Sequence, residues 1–134
     1  DRRVRKLYTR RMDGRFFASA GALFMLLGTA LGAFGAHGLK DVLDAEMKAV
    51  FETGVRYQVY HALGLFAAAW VLERYASRLA AYGGLCFIAG ILVFSGSLYG
   101  LSLSGLRRLG AITPLGGLLF LAGWLCLLAA PYKS

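Results

Sequence analysis

The sequence predicts an all-α integral membrane protein: a four-helix bundle with an interfacial amphipathic helix between its first and second spans. Three observations carry this prediction. Four long apolar stretches, 16–36, 57–72, 79–101 and 109–130, fill most of the 134 residues. Charged residues make up only 16% of the chain and collect in the joints between those stretches. A hydrophobic fraction of 58% and a mean hydropathy of +0.60 describe a surface whose solvent is largely lipid. A helix of about 20 apolar residues matches the ~30 Å hydrocarbon core, and a helix satisfies its own backbone polar groups there.

Ahead of the first span, residues 1–15 read as a basic juxtamembrane arm. Arg2, Arg3, Arg5, Lys6, Arg10, Arg11 and Arg15 supply nearly half of the fifteen basic residues behind the net charge of +8. Such a cluster sets topology and meets anionic lipid headgroups. Without aromatic-basic interleaving or a reading motif, nucleic acid is excluded as a partner. Met12 offers itself as a start, which would make residues 1–11 an upstream extension. The remainder, 16–134, reads as a single transmembrane domain.

The first span is too long for a cleaved signal peptide. After it, residues 40–56 alternate apolar Val42, Leu43, Met47, Val50 and Phe51 with Asp41, Asp44, Glu46, Lys48 and Glu52 at helical spacing, which predicts an amphipathic helix. Asp44 with Lys48, and Glu52 with Arg56, would each add about 0.3 kcal/mol. That helix is expected to bend or feed directly into the second span, with Gly54 as the weak point. Residues 73–78 and the Ser/Gly/Arg stretch at 102–108 predict tight turns. Thr113 and Pro114 suit either a helix cap and first position or a kink in a helix begun near Leu109. With both termini cytoplasmic, ten basic residues lie inside against five outside, in keeping with the positive-inside rule; without residues 1–11 the count is four against five.

Gly28 with Gly32, and Gly96 with Gly100, stand four apart, the spacing at which helix backbones approach closely in lipid. They are assigned first to packing within the bundle and second to a partner-subunit interface. Cys86 and Cys126, without CxxC spacing, read as buried packing residues.

Ionisable residues at membrane depth are the first place to look for function. Glu52, Arg56 and Tyr60 form one row at four-residue steps, Tyr57 and His61 a neighbouring row, and His37 is expected at the same membrane face. Such a set could be a self-satisfying structural network, a proton relay or small-ligand site, or a bis-imidazole haem or metal site. The structural network is the first reading, and no cofactor or metal is assigned. There is no GxSxG, HExxH or Walker loop, and Gly32, Gly35 and Gly38 lack the strand that a dinucleotide fingerprint requires.

The stretches GAFGAHGL at 32–39, FETGVRYQVYHAL at 51–63, FSGSLY at 94–99 and LGAITPLGGLLFLAGW at 109–124 strongly resemble the YgdD and YwdK type, a domain-of-unknown-function family of small bacterial membrane proteins with mitochondrial relatives. The resemblance runs from Met12 to near the end of the chain. It implies four spans and no established reaction, substrate or cofactor. Its characteristic residues fall on His37, Glu52, Arg56, Tyr57, Tyr60, His61, Ser95, Thr113 and Pro114. The functional expectation is a non-enzymatic accessory subunit of a larger respiratory or photosynthetic complex in the bacterial inner membrane. The alternative is a small transport, proton-relay or ligand-binding protein using His37, Glu52, Arg56 and His61.

Overall fold

The Asp13 carboxylate accepts a hydrogen bond from the Phe16 amide at 3.2 Å and so starts the first helix of the computed structural model, which describes residues 2–3 and 13–133. Most of the basic arm lies outside the described residues, and with it the proposed headgroup contacts. Four helices follow: α1 (Gly14–His37), α2 (Ala45–Tyr75), α3 (Arg78–Ser104) and α4 (Thr113–Ala129). Strands are absent among the described residues.

The chain runs up and down, with α1 against α2, α2 against α3 and α3 against α4. The Phe17 ring of α1 also reaches Gly84 of α3. Burial is inverted relative to a water-soluble bundle. Leu26, Leu118, Leu125 and Leu128 are more than 60% exposed, while Gln58, His61, Ser77, Ser95 and Ser102 are buried. A chain that hides its polar groups and displays leucine has lipid for solvent.

α1, α3 and the stretch Arg107–Tyr132 are long and apolar enough to cross a membrane; α2 is more polar. α2 nevertheless runs the full depth of α1. At one end its Glu73 Oε1 accepts from the Gly14 amide at 2.8 Å, and at the other its Phe51 ring lies on Gly35. Its 31 residues span about 46 Å. The interfacial amphipathic helix and the second span are therefore one continuous helix.

The predicted boundaries need three corrections. Residues 40–44 are turn rather than helix, because Asp44 accepts from the Met47 amide at 2.8 Å and caps α2, which also withdraws it from the predicted pair with Lys48. Gly54 does not interrupt the helix, which is continuous from Ala45 to Tyr75, and the Tyr99 ring covers the space its missing side chain leaves. Thr113 is the first residue of α4 rather than its cap, and Pro114 stands in the first turn after a 3-10 turn at Arg107–Ala111. Cys86 and Cys126 are half-buried, with Cys126 against Gly83.

The tightest seam lies between α3 and α4. A Cβ on Gly83 would meet the Gly123 carbonyl at 3.0 Å, and one on Gly90 would meet Phe120 Cδ1 at 2.5 Å. On each helix these glycines stand seven apart, Gly83 and Gly90 against Gly116 and Gly123, the repeat of antiparallel helices crossing at about 20°. Opposite Gly116, α3 opens into a π-helical turn at Ile91–Ser95, which brings the Phe94 backbone against that glycine.

Gly28 and Gly32 face Val59 and Val55 within the bundle, and Gly100 lies under Leu109, whereas Gly96 has nothing within 4 Å of a built Cβ. Gly90→Ala is expected to destabilise the bundle by about 1–3 kcal/mol through overpacking. Gly96→Ala is expected to stabilise it by about 0.5–1 kcal/mol through helix propensity. Equilibrium unfolding of the two variants in detergent checks both signs.

Candidate functional site

Along α2, Gly54, Gln58, His61 and Leu65 are spaced 4, 3 and 4 apart, so they fall on one stripe, and all four are buried. This stripe faces the three other helices and carries the polar groups of the membrane interior.

Gln58, the only carboxamide side chain in the sequence, ties three helices together. Its Nε2 donates to the Phe24 carbonyl of α1 at 2.8 Å, and its Oε1 accepts from the Tyr99 hydroxyl of α3 at 2.6 Å. Gly28 and Gly54 make room for it. A Cβ on the first would lie 3.4 Å from Gln58 Nε2, and one on the second 2.9 Å from the Tyr99 ring. From the π-helical turn, the Ser95 hydroxyl donates to the Gly54 carbonyl at 2.7 Å. Ser97 and Thr113 share a hydroxyl–hydroxyl bond of 2.6 Å between α3 and α4.

One turn deeper, His61 is fixed by its partners. The Trp124 indole is a donor only, and its Nε1 lies 3.1 Å from His61 Nε2, so that nitrogen is the acceptor. His61 Nδ1 then carries the proton and donates to the Tyr57 carbonyl at 2.8 Å. The imidazole is neutral, in one tautomer, with both nitrogens occupied. Its ring stacks on Phe120 with centroids 3.5 Å apart and planes 6° from parallel, and Phe87 closes the pocket at 5.4 Å.

The residues singled out from the sequence do not form one site. Glu52 and Arg56 pair with each other at 3.6 Å on the outside of α2, both exposed, and Tyr60 continues that outward row, 52% exposed. Tyr57 turns toward Phe94, with centroids 4.7 Å apart. His37 is exposed at the end of α1, at the level of residue 50 of α2 given the Gly35–Phe51 and Gly28–Val59 contacts. That puts it about 16 Å along the axis from His61, so the two imidazoles cannot ligate one haem. No group of three metal-binding side chains occurs among the described residues. Sequence reasoning missed Gln58, Tyr99 and Trp124. A lone carboxamide in an apolar span was the available signal, since it must find partners there.

The model of a family described as "Protein of unknown function (DUF423)" matches residues 31–117. The UPF0382 membrane protein YwdK of Bacillus subtilis is 45% identical over 121 residues, covering 89% of this chain and 98% of its own. The UPF0382 inner membrane protein YgdD of Escherichia coli K12 is 38% identical over 122 residues, covering 91% and 93%. No solved structure matches the chain.

A double-mutant cycle tests the Gln58–Tyr99 bond. Tyr99→Phe strands a buried acceptor and is expected to cost about 1–3 kcal/mol. Adding Gln58→Leu should cost less than the sum of the single changes, because both polar partners then leave together. Unfolding free energies in detergent micelles that are strictly additive would refute the coupling.

Proposed function

The chain belongs to the DUF423 family of membrane proteins, and from that premise we propose that it is a non-catalytic structural or accessory subunit of a larger assembly in the bacterial inner membrane. The observation that carries this reading is the saturation of the interior. No buried side-chain nitrogen or oxygen among the described residues lacks a hydrogen-bond partner. Gln58 bonds Tyr99 and a carbonyl of α1, Ser95 a carbonyl of α2, and His61 Trp124 and its own helix, and together these bonds link all four helices. A proton relay needs a titrating group free to take up and pass on a proton inside the bundle, and both ring nitrogens of His61 are engaged.

The surface supplies what an accessory subunit requires. Between α1 and α3 lies an apolar groove of about 440 Å³, walled by Leu27, Leu31, Phe34 and Leu92, in which Gly96 presents bare backbone. In lipid, helices associate by van der Waals contact rather than by hydrophobic drive, and exposed backbone at a glycine is where a foreign helix approaches closest. The end carrying Arg15, Arg74, Arg78 and Lys133 is the cytoplasmic one in this reading. The inner-membrane location follows the name of the Escherichia coli relative.

Native mass spectrometry of untagged protein, extracted from its own membranes in mild detergent, tests the proposal. The expected result is a mass containing other subunits in fixed stoichiometry for the wild type and loss of those subunits for Gly96→Leu, which fills the groove. A monomer or homo-oligomer without other subunits, with or without a bound small molecule, would overturn it.

A further inference from the structure

A second concavity lies at the opposite edge of α1, in the mouth of the α1–α2 hairpin, and encloses about 410 Å³. This is the size of a small-ligand site, for which the usual range is about 300–1,000 Å³. Its polarity is graded along the helix axes. The deep end, five residues inside α1 and ten inside α2, is bare backbone and hydrocarbon from Gly32 and Val55. The outer end is rimmed by Lys40, in the turn after α1, and Lys48, in the first turn of α2.

Neither lysine has an ion-pair partner among the described residues. The neighbouring acids are committed or turned away. Glu52, on the pocket wall, pairs with Arg56; Asp44 caps α2; Asp41 is exposed; and Glu46 pairs with Arg107. His37 is exposed at the end of α1 and adds no negative charge. The site thus offers two ammonium groups without an ion-pair partner among the described residues, at the level where α1 ends, above an apolar slot running toward the bilayer centre.

We propose that this pocket is a specific binding site for one glycerophospholipid with a net-negative headgroup, its phosphodiester held between Lys40 and Lys48 and the start of an acyl chain lying in the apolar slot lined by Ala36, Leu39 and Val55. The gradient selects the ligand. A water-soluble phosphate ester has no apolar tail to fill the deep end. A zwitterionic lipid brings its own ammonium against the two lysines, while a phosphatidylglycerol-type head adds only hydroxyls to the phosphate charge.

The test is native mass spectrometry of the delipidated full chain in detergent, titrated separately with dioleoylphosphatidylglycerol, dioleoylphosphatidylethanolamine and inorganic phosphate. The expected result is one retained phosphatidylglycerol, with markedly weaker retention of phosphatidylethanolamine and none of phosphate. Lys40→Gln with Lys48→Gln, both at the surface and remote from the core, should weaken retention by about thirtyfold, the combined effect of two lysines at an anionic surface. Ala36→Trp, which keeps both charges but fills the slot from the exposed side of α1, should abolish it. Neutralising Arg10 and Arg11 in the arm should leave it unchanged. Equal retention of the two lipids, retention of phosphate alone, survival of binding in both pocket variants, or its loss in the arm variant would each overturn the proposal.

Discussion

Everything in this bundle depends on rings lying where a neighbouring helix has no side chain. Phe17 sits on Gly84, Phe51 on Gly35, Phe87 on Gly123 and Phe120 on Gly90, in each case so close that a Cβ would fall within 2.7 Å of a ring carbon. Lipid gives helices no hydrophobic reason to associate, so contact area and polar bonds must do so. An aromatic ring packed against bare backbone gives a large contact area at small interaxial distance, and it fixes helix rotation, because the ring fits only at that glycine. Phe87 shows the consequence: the same ring lies against Gly64 of α2 and Gly123 of α4 and so sets the spacing of three helices at once.

This close approach is also what allows the polar groups to be satisfied. Gln58 reaches a carbonyl of α1 because Gly28 stands beside that carbonyl, and it reaches the Tyr99 hydroxyl because Gly54 lets the tyrosine ring lie across α2. His61 sits parallel on Phe120, whose position is set by Gly90. Each hydrogen bond is therefore conditional on a glycine elsewhere, and each glycine contact is stiffened by a hydrogen bond. In a medium that supplies no competing water, an unmade bond costs its full desolvation penalty, so packing and polar satisfaction stand or fall together.

The spans were legible because their apolar runs are long and their joints charged, and the family resemblance was carried by residues that turn out to be packing contacts as much as chemistry. Four-residue spacing picks out Gly28 and Gly32, which do pack against α2, but it passes over the α3–α4 seam, which repeats at seven through Gly83, Gly90, Gly116 and Gly123 because two antiparallel helices return to contact every two turns. The π-helical turn at Ile91–Ser95 has no proline or charge to announce it and coincides with the contact of the Phe94 backbone with Gly116. Grouping His37 with His61 was an error of depth: one ends its helix, while the other lies sixteen positions beyond the start of Ala45–Tyr75. Trp124 was invisible as a partner because nothing local in sequence relates it to His61.

The two rows of α2 divide the work of the protein. Gly54, Gln58, His61 and Leu65 face inward and are consumed by the fold, down to the tautomer of the imidazole. Glu52, Arg56 and Tyr60 face outward, and the nearby lysines of the hairpin rim have no partner among the described residues. Each buried polar side-chain atom among the described residues has a hydrogen-bond partner within the bundle, so the concavities that remain open are at its surface, in the hairpin mouth and the α1–α3 groove. The helices that frame them are held by the inward row, where His61 bonds Trp124 and stacks on Phe120.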